Sequence, residues 1–175
     1  PQLSSSSGIL GRITNILSSR QNQPYKTELY SISGPQKIVT GGPTPNIISG
    51  SEGVTKYEDY DLLRDIIHNL TKYTSSSYMA DTYSGMLRSN LDSTEALGDK
   101  LEATTVTAMF NEEDLSSQFK QIAKVIKIHR DPSTPTKDKV ERAAFVTKLG
   151  GFDTHRDLAE TLEKRMITIN NALKS

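Results

Sequence analysis

The stretch from 140 to 161, VERAAFVTKLGGFDTHRDLAET, decides the fold of this chain. Its compact apolar run at 143–146 is bounded by charged residues and by Gly150 and Gly151, a pattern typical of a buried strand that ends in a sharp turn. Apolar residues then recur at helical spacing to the end of the chain, at Leu158, Leu162, Met166, Ile169 and Leu173. The stretch therefore predicts a strand, a glycine turn and a helix in succession.

Another helix is predicted before this strand. The segment at 111–131, NEEDLSSQFKQIAKVIKIHRD, combines a helical apolar pattern with acidic residues in its first turn and basic residues, including His129, in its last. That order of charges suits the helix macrodipole. Over 112–175 the sequence thus has a helix, a strand and a helix, which indicates an α/β fold with a mostly parallel sheet.

The segment at 57–103 predicts two further helices. The first opens at Asp59 or Tyr60 and carries a well-formed apolar face, and the second runs from Tyr78 to Leu101 after a break at the serines 75–77. The apolar face of the first helix consists of Leu62, Leu63, Ile66, Ile67 and Leu70. We interpret the pair as a helical hairpin inserted on the rim of the fold.

Residues 1–56 predict a short amphipathic helix at 9–17, followed by short strands and turns. The whole chain, 1–175, is interpreted as a single incomplete domain. There is no initiator methionine, and the last helical pattern runs on to Ser175. We therefore expect both ends to continue in a longer protein, which would complete a sheet that needs four or more strands.

Composition excludes several classes of function. Lys+Arg and Asp+Glu are 21 each, so no net field favours nucleic acid, and we predict no nucleic-acid partner. There are no cysteines, which excludes disulfides, thiolate metal sites and a cysteine nucleophile. No run approaches the roughly 20 apolar residues of a membrane span, so we predict no transmembrane segment.

The GGFDTH stretch at 150–155 has two readings. Ligands of open α/β sheets bind beyond the carboxyl ends of the strands, where Asp153 and His155 are placed to ligate a divalent metal such as zinc, manganese or calcium. Alternatively, Asp153 or Thr154 caps the following helix, while Gly150 and Gly151 only turn the chain. The stretch offers two ligands where a metal site needs at least three, so both readings stay open.

A family resemblance adds to these patterns. The segment FVTKLGGFDTHRDLAETLEKRMITINNALKS at 145–175 resembles the signature of domain-of-unknown-function family 1501, a branch of the alkaline phosphatase and sulfatase-like superfamily. Upstream, SGILGRITNIL at 7–17, YSISGPQKIVTGGPTP at 30–45 and LSSQFKQIAKVIK at 115–127 are similar to the helices, strand and turn of that family. The similarity covers most of the chain and is weakest from Tyr57 to Asn111.

The resemblance implies a three-layer α/β/α fold and metal-dependent hydrolysis of phosphate or sulfate esters. Of the family's polar signature, this chain matches Asp153, Thr154 and His155. A further Ser-Asp-Phe-Gly-Arg motif and a downstream Asp-His of the family are absent from the chain. We therefore do not expect the chain to be catalytic as it stands.

Two functions follow as hypotheses. The first is a fragment of a sulfatase- or phosphatase-like hydrolase with Asp153 and His155 at the metal edge of the sheet. The second is a non-catalytic accessory or structural subunit of a larger protein assembly, which predicts an exposed apolar face between Leu62 and Leu101. The other histidines are expected to be structural, with His68 meeting solvent or backbone on the rim and His129 complementing a helix terminus.

Overall fold

The fold is taken from a computed structural model, in which residues 7–19, 26–135, 139–153 and 157–174 are described. Within these residues, five α-helices and three strands occur in the order α1 (Ile9–Ser18), β1 (Lys26–Ser31), β2 (Asn46–Ile47), α2 (Tyr60–Thr71), α3 (Tyr78–Ala103), α4 (Asp114–His129), β3 (Val140–Val146) and α5 (Leu158–Lys174). A single 3-10 turn, Lys37–Val39, lies between β1 and β2. No helix in the described ranges is both long and apolar enough to cross a membrane.

The three strands form a parallel sheet in the order β2-β1-β3. Tyr30 of β1 stands in register with Asn46 on one side and with Phe145 on the other. Hydrogen bonds from Ile32 N to the Val146 carbonyl, at 2.8 Å, and from Ile48 N to the Ser31 carbonyl, at 2.9 Å, continue the pairing beyond the strand ends. The α/β class and the parallel sheet predicted from the sequence are confirmed.

The strand predicted at 143–146 differs in extent and burial. It begins three residues earlier, at Val140, and it is half-buried, with Ala143 exposed. The reason is its place in the sheet, because β3 pairs with β1 on one side only in the described part of the chain. The central strand β1 is the buried one, and its Leu29 and Tyr30 are almost wholly inaccessible.

The core lies between the sheet and two helices. Its buried residues are Tyr30, Ile32, Ile48, Leu101 and Val125, which brings β1 and the segment after β2 together with α3 and α4. Phe145 packs against this cluster, and its ring stacks on that of Tyr30 with centroids 5.1 Å apart. Burial of these apolar side chains is the main stabilising contribution, at about 1.5–3 kcal/mol for each large one.

Helix α1 packs against β1 and the 3-10 turn at very short range. A Cβ atom built on Gly11 would lie 2.1 Å from the Thr40 carbonyl oxygen, so this helix surface needs glycine. Thr14 is also buried, and its hydroxyl donates a hydrogen bond to the Leu10 carbonyl of the same helix at 2.9 Å. The approach of α1 is therefore fixed by small side chains and not by large apolar ones.

Helix α2 packs on α3 through polar groups. Tyr60, the first residue of α2, donates its hydroxyl proton to an Asp92 carboxylate oxygen of α3 at 2.5 Å, and His68 Nε2 lies 3.0 Å from the same oxygen. Just before α2, Lys56 bonds Asp99 and Glu102 of α3 at 2.6 and 3.1 Å. These bonds raise the pKa of the Lys56 ammonium group. Acidic side chains on one side of α3 thus hold both α2 and the segment just before it.

Candidate functional site

The carboxyl ends of the three parallel strands meet at one edge of the sheet. The strands end at Ser31, Ile47 and Val146. The tripeptide Ile-Ser-Gly follows directly after β1 and again after β2, at 32–34 and at 48–50. In both copies the isoleucine enters the core and the serine follows it at the edge, where Ser33 and Ser49 form an isolated bridge. This edge is where open parallel sheets bind ligands.

An open cleft of about 1100 Å³ lies between this edge and α3. We call it the edge cleft. The loops after β1 and β2 line it with Ser33, Ser49 and Ser51, and α3 lines it with Ser89, Asn90 and Ser93. Among the described lining residues, the charged ones are Asp114 and Lys148. The cleft is therefore rich in uncharged hydroxyl and amide groups, with one acidic and one basic residue among those that line it.

The backbone of Lys148 is held in place by the side chain of Gln118. The Gln118 amide accepts a hydrogen bond from Lys148 N and donates one to the Lys148 carbonyl, both at 3.0 Å. It also donates to the Asp114 carboxylate at 3.0 Å. Gly50 leaves room for this arrangement, since a Cβ there would lie 2.7 Å from Gln118 Cγ. The buried Gln118 amide on α4 thus holds the Lys148 backbone, and its side chain packs closely against Gly50.

Ser33 has a buried hydroxyl oxygen with no hydrogen-bond partner among the described residues. It lies at the carboxyl end of the most buried strand and lines the edge cleft. Ser49, its counterpart after β2, has partners in Ser51 Oγ at 3.2 Å and Glu52 N at 3.3 Å. A buried hydroxyl without a partner is costly, so Ser33 has unused hydrogen-bonding capacity beside the cleft.

The GGFDTH stretch begins at this same edge. Gly150 lines the edge cleft, and Gly151 has a φ of +82°, in the left-handed region that favours glycine. Arg165 of α5 donates from Nε to the Gly151 carbonyl at 3.3 Å, and a Cβ on Gly151 would lie 2.0 Å from the same guanidinium group. The turn therefore places the chain against α5 as it leaves the sheet.

The predicted ligands and caps are placed as follows. Asp153 is exposed and does not line the edge cleft. Thr154 and His155 lie outside the described residues, so their geometry is not given. Helix α5 begins at Leu158, and the carbonyl of Asp157 accepts the backbone hydrogen bond of Thr161 at 3.0 Å.

The described ranges contain no group of three or more His, Asp or Glu side chains placed to hold one metal ion. Of the two predicted ligands only Asp153 is described, and its exposed carboxylate is accessible to a cation. The acidic residue that lines the cleft, Asp114, already accepts a hydrogen bond from the Gln118 amide. The pair of Asp153 and His155 thus stays a prediction.

A cluster that the sequence patterns did not predict lies under the sheet, and we call it the sheet cluster. Tyr30 donates its hydroxyl proton to the carboxylate of Glu28, and its oxygen lies 2.9 Å from Nε2 of His129 at the end of α4. Burial, with the Glu28 carboxylate, raises the pKa of the Tyr30 hydroxyl. Burial lowers the pKa of His129, against the opposing attraction of Glu28. His129 thus does more than complement a helix terminus.

A second cluster of the same three chemical groups joins α2 to α3, and we call it the helix cluster. It consists of Tyr60, His68 and Asp92. The hydrogen bond from Tyr60 is the main cause that lowers the pKa of the Asp92 carboxyl group. His68 is partly exposed to solvent, as expected of a rim histidine, and its ring also meets the Asp92 carboxylate, a contact that the sequence did not predict. The i, i+2 spacing of Glu28 and Tyr30 in a strand could have predicted that their side chains share a face. The contacts of both histidines depend on how distant segments pack, so they could not be predicted from local sequence.

Comparison with known proteins adds nothing to this geometry: no family model matches the sequence, and no curated protein or solved structure is significantly similar to it. The resemblance of the segment at 145–175 to family 1501 accordingly stays a prediction.

Proposed function

We propose that this chain is part of a sulfatase- or phosphatase-like protein and that the edge cleft receives the anionic group of its substrate. The observation that carries this proposal is the placement of Lys148 and Gly150, which immediately precede the FDTH residues, in a cleft at the carboxyl edge of a parallel sheet. The resemblance to family 1501 supports it. We propose also the three-layer arrangement and the inserted helical hairpin at 57–103 as parts of the complete fold.

The chemistry assigned to the described residues is binding and orientation. The ammonium group of Lys148 attracts a phosphate or sulfate group, while Gln118 keeps the Lys148 backbone at the cleft wall. The Ser33 hydroxyl, which has no partner among the described residues, donates to an oxygen of the same group. A zinc, manganese or calcium ion on Asp153 and His155 would polarise the ester. Turnover requires ligands beyond these two.

Anion binding tests the cleft directly. We expect inorganic phosphate and sulfate to shift the backbone NMR signals of Ser33, Ser49 and Gly150. In Lys148→Met the affinity should fall about tenfold, as expected for the loss of one charged hydrogen bond. Lys37→Met, which removes an exposed lysine outside the cleft, is the matched control and should bind like the wild type. Equal affinity in all three proteins would remove the cleft from the proposal.

Elemental analysis tests the metal. The full-length natural protein should contain stoichiometric zinc, manganese or calcium that is lost in Asp153→Ala and in His155→Ala but kept in Glu163→Ala, an exposed acidic residue of α5. If the wild type holds no metal and the first two variants are only less stable by about 0.5–2 kcal/mol, the GGFDTH stretch is a structural turn. That result would favour the second candidate function.

The second candidate is a non-catalytic accessory subunit of a larger assembly. It is supported by large apolar side chains that are exposed on α2 and on the first half of α3, among them Leu62, Leu70, Tyr78 and Met79. Contiguous exposed apolar surface marks sites of association. A full-length protein without bound metal that co-purifies with a partner in fixed ratio would support it. A metal-containing protein that hydrolyses aryl sulfate or phosphate esters would exclude it.

A further inference from the structure

Helix α2 packs on α3 through a polar side and leaves part of its apolar face exposed, while Leu63 and Ile67 of that face are partly buried. Tyr60, Arg64 and His68 all approach Asp92 of α3, at distances of 2.5, 3.9 and 3.0 Å. The opposite side of the helix carries three aliphatic side chains, spaced four residues apart, that are 77%, 56% and 70% exposed, namely Leu62, Ile66 and Leu70. A helix that is packed on one side only would normally bury such residues.

Two exposed aromatic side chains follow α2 along the chain. Tyr73 and Tyr78, in and after the turn that leads to α3, are 70% and 85% exposed. We call the set Leu62, Ile66, Leu70, Tyr73 and Tyr78 the α2 stripe. Specific interfaces bury about 800 Å² on each partner, which is more than three aliphatic side chains supply. The two tyrosines extend the stripe toward that size, because aromatic side chains bury about 150–250 Å² each.

The charges beside the stripe are arranged in a definite order. Asp61, Asp65, Asn69 and Lys72 follow one another along its polar edge at spacings of three or four residues, so the edge is acidic at the start of the helix and basic at its end. A helix with this order complements a copy of itself that runs in the opposite direction. When two such helices pair about Ile66, Asp61 of each copy falls beside Lys72 of the other.

We infer that the α2 stripe is a self-association surface, which takes the α2 stripe of a second copy in an antiparallel, two-fold arrangement. Two-fold pairing uses the same patch on both copies, so one self-complementary helix suffices. An anionic membrane surface fits less well, because the acidic residues beside the stripe would be repelled by it. This inference is independent of the chemistry proposed for the edge cleft and would stand if that chemistry failed.

Sedimentation equilibrium over a wide range of protein concentration tests the inference. The wild-type protein should be a dimer at the upper end of the range. Ile66→Glu places a charge at the centre of the interface, and the dimer should dissociate about 30-fold more readily or more. The matched control is Leu173→Glu, which charges an equally exposed leucine on α5 and should leave the dimer unchanged. Circular dichroism verifies that each variant is folded.

A charge exchange tests the direction of pairing. Asp61→Lys and Lys72→Glu should each weaken the dimer, and the double variant should restore it, because the exchanged pair has the same attraction across the two-fold axis. A monomeric wild type, including one that binds lipid vesicles or a different protein through this surface, would overturn the inference. So would a dimer that Ile66→Glu leaves intact, or a double variant as weak as the single ones.

Discussion

The sheet cluster and the helix cluster contain the same three groups, a tyrosine, a histidine and a carboxylate, in very different surroundings. The tyrosines of both are buried, but the histidine side chain is 13% exposed in the sheet cluster and 32% exposed in the helix cluster. In the first, burial is the main cause of the pKa changes of Tyr30 and His129. In the second, a hydrogen bond is the main cause for Asp92. Burial is also the main cause that raises the pKa of the Tyr60 hydroxyl, so the two clusters differ at the histidine and the carboxylate and not at the tyrosine.

The largest expected difference concerns the tyrosine rings. Tyr30→Ala should lower the free energy of unfolding by about 3–5 kcal/mol, because the ring stacks on Phe145 in the centre of the core. Urea denaturation measures the effect. Tyr83→Ala, at an exposed position outside the α2 stripe, is the control and should cost no more than about 0.5 kcal/mol. A small effect of Tyr30→Ala would mean that β1 is not the centre of the core.

Removing only the tyrosine hydroxyl should lower the free energy of unfolding more in the sheet cluster than in the helix cluster. Tyr30→Phe leaves Glu28 and His129 without their shared partner and should cost about 1–3 kcal/mol. Tyr60→Phe leaves Asp92 its contact with His68 and access to water, so about 0.5–1.5 kcal/mol is expected. Both are measured by urea denaturation at neutral pH. Equal costs would show that burial of the neighbouring groups makes no difference.

The pH dependence of stability should follow His129. Its pKa in the folded protein lies below the ordinary value of 6.5, so the unfolded chain binds a proton more readily. Stability from this residue is therefore complete above pH 6.5 and is lost as the pH falls from 6.5 toward the lowered pKa. The free energy of unfolding, measured by urea denaturation across this pH range, should not decline in this way in His129→Gln. In His68→Gln the decline should remain. A decline that survives in His129→Gln would assign it to other groups.

The smallest expected effect belongs to Asp92. Because its carboxylate is partly exposed, Asp92→Asn should cost only about 0.2–1 kcal/mol at neutral pH. Its pKa is lowered in the folded protein, so its contribution is present above pH 3.8 and is lost as the pH falls below that value. Wild type and Asp92→Asn should therefore converge in stability at low pH. A difference that persists there would be due to packing and not to charge.

Local patterns predicted most of the helices and the class of fold. Helix α2 begins at Tyr60, one of the two starts expected, and the apolar run at 143–146 lies within β3. The central position of β1 was not predicted, because strand order depends on pairing between residues that are far apart in sequence. For the same reason the periodicity of α2 defined an apolar face but not its direction. Whether that face meets the core or solvent depends on α3.

The sequence indicated the carboxyl edge of the sheet but not the residues of the edge cleft, and the metal pair Asp153 and His155 stays a prediction. Two glycines after a strand indicated the carboxyl edge, where the edge cleft is found. Its other wall comes from α3, and the Gln118 side chain that holds Lys148 comes from α4, so neither is visible in the local pattern. The repeated Ile-Ser-Gly after β1 and β2 was a readable signal, since identical tripeptides follow two neighbouring parallel strands.

Helix α4 contacts both the edge cleft and the sheet cluster. With 16 residues at a rise of about 1.5 Å each, it is a stiff rod about 24 Å long. Gln118 near its start hydrogen-bonds the Lys148 backbone beside the edge cleft, and His129 at its end contacts Tyr30 beneath the sheet. The contact at the edge cleft and the contact with the sheet cluster therefore lie on one continuous helix.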